Sequence, residues 1–224
     1  KPKKISITAY EIDKSLFSYL EESLKQCKTL CEKNKVKFTG KIIKKDFIVD
    51  IVENLKSSDK KQFSHIIINP PYKKINIFSE VYRILKKVNL PSANLYTAFI
   101  ALSEKVLKEN GEIVFISPRS FCNGPYFQSF RKKFLESMSL KRIHIFDSRS
   151  SSFSDDGVLQ ENVIVHAIKT KKLVKDVLIS SNSNPDDDDI VINQVKKNAV
   201  VYPNDSQYFI HIVPDEISVQ VSDK

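Results

Sequence analysis

Asn69, Pro70, Pro71 and Tyr72 stand together at the end of an apolar run, Phe63-Ser64-His65-Ile66-Ile67-Ile68. None of the four prolongs a strand well. Each proline fixes φ at about −65° and removes an amide donor. A residue that precedes a proline is pushed towards extended conformations. Asn69 is thereby held stiffly, with its side-chain amide and the neighbouring backbone carbonyls available, and Tyr72 adds an aromatic plane. Two acceptors in a fixed frame beside a stacking surface are suited to gripping a planar group that carries an NH2.

The elements that must position these residues follow from the spacing of apolar side chains. Residues 5–12 read as a strand and 14–33 as a helix, with Leu16, Leu20, Leu24, Cys27 and Leu30/Cys31 on one stripe. Residues 41–47 and 63–68 are short strands. Residues 95–107 are helical, with Leu95, Ala98/Phe99, Leu102 and Val106 on one face and Gly111 as a stop. Residues 112–117 form a strand, and 126–138 a helix with Phe127, Phe130, Phe134 and Met138 inward. Residues 140–146 and 162–168 are strands joined by a Ser-rich loop, which predicts an antiparallel pair at the sheet's edge. Strand–helix alternation predicts an α/β fold with a mostly parallel sheet. In such sheets chemistry gathers at the carboxyl ends of the strands, where Glu11, Asp46, Asn69 and Ser117 all fall.

The 224 residues are 41% hydrophobic and 28% charged, as in a soluble globular protein. No apolar run approaches the ~20 residues of a membrane span, and the first residues lack a signal-peptide core. Cys27, Cys31 and Cys122 are too few for a disulfide framework and read as reduced thiols of a cytoplasmic protein. Residues 1–170 carry 30 Lys/Arg against 18 Asp/Glu, whereas 171–224 carry 6 against 9. A basic body suits a polyanion, because neutralised phosphates release counterions, although a lysine-rich composition bias gives the same excess. The acidic break SSNSNPDDDD at 180–189 reads as a solvated linker within 171–189. DIVINQ and YFIHIV beyond it read as short strands. Histidines 65, 144, 166 and 211 lack ligand spacing and read as structural, so no metal is expected.

Asn-Pro-Pro-Tyr after an apolar strand resembles the catalytic motif of S-adenosylmethionine-dependent amino-methyltransferases. AYEID at 9–13 is similar to that group's second motif, and KKDF at 44–47 to the next. NLYTAFIALSEKVLKENGEIVFISP at 94–118 resembles the helix–strand segment of gamma-class N6-adenine DNA methyltransferases. SSSFSDDGVLQENVIV at 150–165 resembles their base-stacking loop, with wording typical of type IIG restriction-modification methylases. The resemblance covers about residues 5–170, with the motifs in the same order. It implies a Rossmann-like sheet and S-adenosylmethionine held by Glu11, Ile12, Asp46 and Phe47. It also implies a flipped adenine of double-stranded DNA, stacked between Tyr72 and Phe153 and gripped by Asn69 and Pro70 with Pro71 and Tyr72. Taken alone, each position also reads as ordinary structure: a strand-ending turn at 69–72, a helix-start acid at Glu11, a strand end and core ring at Asp46 and Phe47, a loop anchor at Phe153. A protein-glutamine or RNA methyltransferase and a non-catalytic DNA-binding module are the alternative functions.

The first motif of such enzymes is a Gly-x-Gly turn after the sheet's first strand. The four glycines here, Gly40, Gly111, Gly124 and Gly157, form no Gly-x-Gly. The expectation is therefore an N-terminally truncated catalytic domain over 1–170, its sheet lacking its first strand. A further chain or an upstream segment is expected to supply that strand, and the isolated chain is expected to be weak or inactive. Residues 190–224 are expected to open a target-recognition or C-terminal region.

Overall fold

The computed structural model describes residues 2–57, 63–90, 92–146, 161–170, 172, 174–182 and 189–212. They belong to two compact units, Lys1–Ser58 and Asp59–Lys224.

In the first unit, β1 (Lys4–Tyr10) and β2 (Lys37–Ile43) pair in parallel, with Lys4 opposite Lys37 and Tyr10 opposite Ile43. α1 (Phe17–Lys33) connects them. A single 3-10 turn at Lys14–Leu16 leads into it, capped by Asp13, whose Oδ1 accepts the Ser15 amide at 2.8 Å. The expected apolar stripe packs shallowly: Leu20, Leu24 and Cys31 are half-buried, and Leu16 and Leu30 are exposed. Gly40 lets Leu24 approach β2, since a Cβ there would stand 3.2 Å from Leu24 Cδ1. α2 (Phe47–Ser57) follows β2 and buries Ile48, Ile51 and Val52 at helical spacing.

The second unit contains, in chain order, β3 (Phe63–Ile68), α3 (Glu80–Lys87), α4 (Leu95–Val106), β4 (Leu107–Pro118), α5 (Gln128–Ser137), β5 (Met138–Phe146), β6 (Asn162–Lys169), β7 (Asp176–Asn182), β8 (Val191–Lys196) and α6 (Lys197–Val200). Its sheet has the order β3-β4-β6-β5-β7-β8. β3 and β4 run parallel, as do β5 and β7; β6 runs against both β4 and β5, and β8 against β7. β5 and β6 are thus the antiparallel pair expected from the sequence, but they do not lie at the edge. β6 sits between β4 and β5, which explains why Val163, Val165 and Ala167 are completely buried. β7 forms inside the stretch read as a linker. Its buried Val177 and Ile179 flank the exposed Leu178, so they point to one face, as in a strand packed on one side. β8 overlaps DIVINQ at residues 191–194.

Three local expectations fail. The strand expected over 41–47 lies at 37–43, and Asp46 and Phe47 instead open α2. Residues 208–212 of YFIHIV form no strand, because Tyr208 takes φ 55° and the following amides bond elsewhere: Ile210 N to Cys122 O at 2.9 Å and His211 N to Val200 O at 2.7 Å. Gly111 does not stop α4, which ends at Val106. It lies in a bulge of β4, where the pairing jumps from Phe63/Leu107 to His65/Glu112.

One face of the sheet is sealed by α4, α5 and the turns before α5. Ile113, Phe115, Ile143, Val163, Val165, Val177 and Ile179 meet Ile100, Phe121, Phe127, Phe134 and Met138 in one cluster. Phe115 lies edge-on to Phe134 with centroids 6.0 Å apart, and Phe130 stacks on Phe134 at 5.8 Å. The inward phenylalanine stripe of the sequence is therefore present, although the α-helix begins only at Gln128, after a 3-10 turn over Pro125–Phe127.

Candidate active site

Asn69 follows the last residue of β3 and is exposed, Pro70 is buried and Pro71 is exposed. No hydrogen bond from the described residues occupies the Asn69 side chain. The backbone that carries it is strapped down at once. Lys73 O accepts the Leu95 amide and Ile75 N donates to Ala93 O, both at 2.8 Å, with a β-bridge between Lys74 and Asn94. This strap joins the motif to the residues that enter α4, so the acceptor frame is fixed by backbone bonds as well as by the prolines.

Tyr72 is half-buried against the core and meets Tyr96 edge-on, with ring centroids 6.2 Å apart. Its hydroxyl is buried and has no partner among the described residues. Burial pushes its pKa up to about 12. Tyr96 is also raised to about 12 by burial, and its hydroxyl shares a 3.4 Å hydrogen bond with Ser120 Oγ. A concavity of ≈ 450 Å³ opens here, lined by Tyr72, Asn94, Tyr96, Ser120, Tyr126 and Phe127 among others. Such a volume, lined by four aromatic rings with the polar groups of Lys74, Asn94 and Ser120, suits a small planar ligand. At the carboxyl end of β4, Ser117 is fully buried and its Oγ has no partner among the described residues, and the same holds for Asn162 Oδ1 at the start of β6.

The far wall of the concavity is held by two arginines. Arg119 lies beyond the end of β4. Its amide donates to Glu161 O at 2.7 Å and its guanidinium pairs with the Glu161 carboxylate at 3.1 Å. Arg131, fully buried on α5, donates from Nη1 to Phe121 O and Gly124 O. Sequence reading missed this wall. Its one local signal was Gly-Pro-Tyr-Phe at 124–127, a turn placing two aromatic rings just before a helix.

In the first unit Glu11 follows β1. Its Oε1 accepts the amides of Ile12 at 2.7 Å and Asp13 at 2.8 Å, which leaves Oε2 free of bonds to the described residues. Ile12 is exposed. Asp46 caps α2, its Oδ1 accepting Val49 N at 3.0 Å. Phe47 lies edge-on to Tyr10 with centroids 5.1 Å apart. Beneath this pair, Asp50 accepts from Tyr10 Oη and Lys45 Nζ, both at 3.0 Å. Burial works against the Asp50 charge, but the Lys45 and Tyr10 bonds outweigh it and hold its pKa below the usual carboxylate value. Phe153 lies outside the described residues. The histidines make structural contacts: His65 with Ser64, His144 with Ser180 and Asn182, His166 with Glu112, and His211 stacked on Tyr202. Among the described residues no three His, Cys, Asp or Glu side chains come close enough to hold a metal, and no helix is long and apolar enough to cross a membrane.

Known proteins share this architecture. A modification subunit of a candidate type I restriction enzyme from Vibrio vulnificus superposes with a TM-score of 0.65 at 12% identity, over 94% of this chain and 47% of that one. A candidate class I S-adenosylmethionine-dependent methyltransferase from Listeria monocytogenes superposes with a TM-score of 0.58 at 16% identity, over 84% and 61% of the two chains. The fold is that of the S-adenosylmethionine-dependent methyltransferases, α/β with a mixed sheet. More narrowly, the chain belongs to the Eco57I restriction-modification methylase family, whose model matches residues 4–153. It is 41% identical over 223 residues to the type II methyltransferase M.PstI of Providencia stuartii, which takes in 99% of this chain and 44% of that protein. The chain thus spans less than half the length of the curated relatives it matches.

Proposed function

We propose that the full protein transfers a methyl group from S-adenosylmethionine to the N6 amine of an adenine in double-stranded DNA, as the modification activity of a cytoplasmic restriction-modification system. One observation carries this: the Asn69 amide makes no hydrogen bond to the described residues, at the carboxyl end of β3, on a backbone that two prolines and the strap to residues 93–95 hold still. The restriction-modification family supplies the class of substrate.

Extrusion of an adenine costs a few kcal/mol of stacking and pairing. Asn69 Oδ1 and the Pro70 carbonyl then accept the two N–H bonds of the amine. That grip aims the nitrogen lone pair at the incoming methyl and favours the positive charge developing on nitrogen. No strong base is required, because the proton leaves to water after transfer. Tyr72 on one side and Phe153 on the other supply the stacking planes.

The residues of the first unit fit the ribose and adenine end of the cofactor. Glu11 presents a carboxylate already oriented by two amides, with Oε2 left for ribose hydroxyls. Ile12 is an exposed apolar contact, and Asp46 and Phe47 sit at the head of α2. S-Adenosylmethionine, when bound, supplies the electrophilic methyl. β3 is hydrogen-bonded on one side only among the described residues, and its Ile67 is 84% exposed. We assign that free edge to a strand from an upstream segment or a further chain.

The test is full-length protein with radiolabelled S-adenosylmethionine and plasmid DNA, followed by nucleoside chromatography. N6-methyladenine is expected. Asn69→Ala should lower kcat by about 10²–10³ while duplex binding in a mobility-shift assay stays within about threefold. Label in cytosine, guanine or protein glutamine, and none in adenine, overturns the proposal.

A further inference from the structure

Just beyond the acceptor frame, residues 76–79 form a turn that lifts two apolar side chains into solvent: Ile77 is 60% exposed and Phe78 78%. The turn is firmly built. Asn76 Oδ1 accepts the Phe78 amide at 2.8 Å, and Asn76 O accepts Ser79 N at 2.9 Å and Ser79 Oγ at 2.6 Å. Ser79 Oγ in turn caps α3 by accepting Tyr82 N at 3.2 Å, and Arg83 Nη2 donates to Phe78 O at 3.1 Å. On the upstream side Ile75 is buried and strapped to Ala93. A phenylalanine held out by this many bonds is displayed. Leaving it in water forgoes about 1.5–3 kcal/mol of burial, and such display marks a contact surface.

The surroundings indicate the partner. Residues 73–87 contain Lys73, Lys74, Arg83, Lys86 and Lys87 against the single acid Glu80. Interfaces between proteins are depleted in lysine at their apolar centre, whereas a cationic frame around an apolar tip suits a nucleic-acid duplex. Tyr72 and Phe78 lie six positions apart, so the chain can part them by at most about 22 Å. That is roughly six base-pair steps. Apolar side chains that enter the stack from such positions unstack neighbouring bases.

We propose that Ile77 and Phe78 form a wedge that enters the DNA stack beside the target nucleotide and lowers the cost of extruding it. The wedge presupposes the DNA substrate proposed above. Its test therefore uses two duplexes carrying the site that the full-length protein methylates, mapped by single-molecule sequencing of methylated plasmid. In one the target adenine is paired; in the other it faces an abasic position. Phe78→Ala in the full-length protein is expected to lower kcat/KM at least tenfold on the paired duplex and to stay within threefold of the unmodified protein on the other. Phe78→Trp should keep the paired rate within threefold. With 2-aminopurine at the target position, the fluorescence rise on binding the paired duplex should be lost in Phe78→Ala. Equal losses on both duplexes overturn the wedge; a docking surface for another part of the protein would give that outcome together with a lowered Tm. No loss on either duplex overturns it too. If the unmodified protein methylates adenine in neither duplex, the DNA-adenine activity itself falls, and the wedge with it.

Discussion

Arg131 should be one of the most costly residues in the second unit to remove. It is fully buried on α5. Burial holds its pKa below the ordinary arginine value, with the nearby Asp205 charge acting the other way. Its fork ties three stretches of chain together: Nη1 donates to Phe121 O at 3.0 Å and Gly124 O at 2.7 Å, and Nε and Nη2 donate to Gln207 O at 3.0 and 2.8 Å. The guanidinium also lies 4.9 Å from the centre of the Phe209 ring. Removing the side chain leaves Gly124 O with the Phe127 amide at 3.2 Å, so the main losses fall on Phe121 O and Gln207 O. The orphaned, buried Phe121 carbonyl costs about 1–3 kcal/mol, and the carbonyl of the exposed Gln207, which water can reach, adds less. With the lost packing of the stem, Arg131→Ala should destabilise by about 3–5 kcal/mol, in the range for breaking a buried charged network. At this chain length that lowers Tm by about 6–20 °C. Arg131→Lys keeps the charge, but one ammonium cannot span three carbonyls, so it should recover only part of the loss. Urea unfolding followed by near-UV circular dichroism measures both, and proteolysis should first cut within 205–212. A loss under 1 kcal/mol for Arg131→Ala, or full recovery by lysine, would refute the three-way clamp. Because the clamp holds residues 121–124 beside the concavity, the same variant should also weaken substrate binding.

Three further outcomes are expected. The Tyr72 hydroxyl is buried without a partner among the described residues, so Tyr72→Phe should leave stability unchanged or raise it by about 1 kcal/mol and keep methyl transfer within threefold, whereas Tyr72→Ala should lose both; a Phe variant clearly less stable in urea would contradict this. Tyr10 is raised to about 12 by burial and by the bond and charge of Asp50, above its ordinary value of about 10. Its contribution to stability is therefore complete below about pH 10 and lost as pH rises towards 12, to be followed by phenolate absorbance and Tm. Asp50 is the reverse case: its lowered pKa gives stability that is complete above about pH 4 and fades as pH falls below it. Asp50→Asn should flatten the acid side and move the Tyr10 titration downwards.

The features legible in the sequence are those set by neighbours along the chain. Asn69-Pro70-Pro71-Tyr72 states its own stiffness, because proline geometry is a local property. The phenylalanine spacing of α5 declares its buried face for the same reason, whereas the isoleucine run before Asn69 misleads: no residue of β3 is fully buried and Ile67 is 84% exposed. The motif order from Glu11 to Asn69 pointed to the methyltransferase fold, which the relatives and solved structures bear out. The amphipathic α3 and the apolar run Val177-Leu178-Ile179 of β7 were also present locally, but an eight-residue helix and a short mixed strand compete poorly with a loop until something packs on them. Other features belonged to the tertiary structure alone. Periodicity tells which face of β6 is apolar, not that β6 lies between β4 and β5; that depends on partners such as His166 opposite Val114, far apart in the chain. A buried arginine is indistinguishable in sequence from a solvated one, and Arg131 is fixed inside only because carbonyls from 121, 124 and 207 converge on it. The walls of the concavity are likewise set by convergence: Tyr72, Tyr96 and Tyr126 come from three separate segments. Local sterics could stiffen the acceptor, but only long-range packing could place an aromatic pocket beside it.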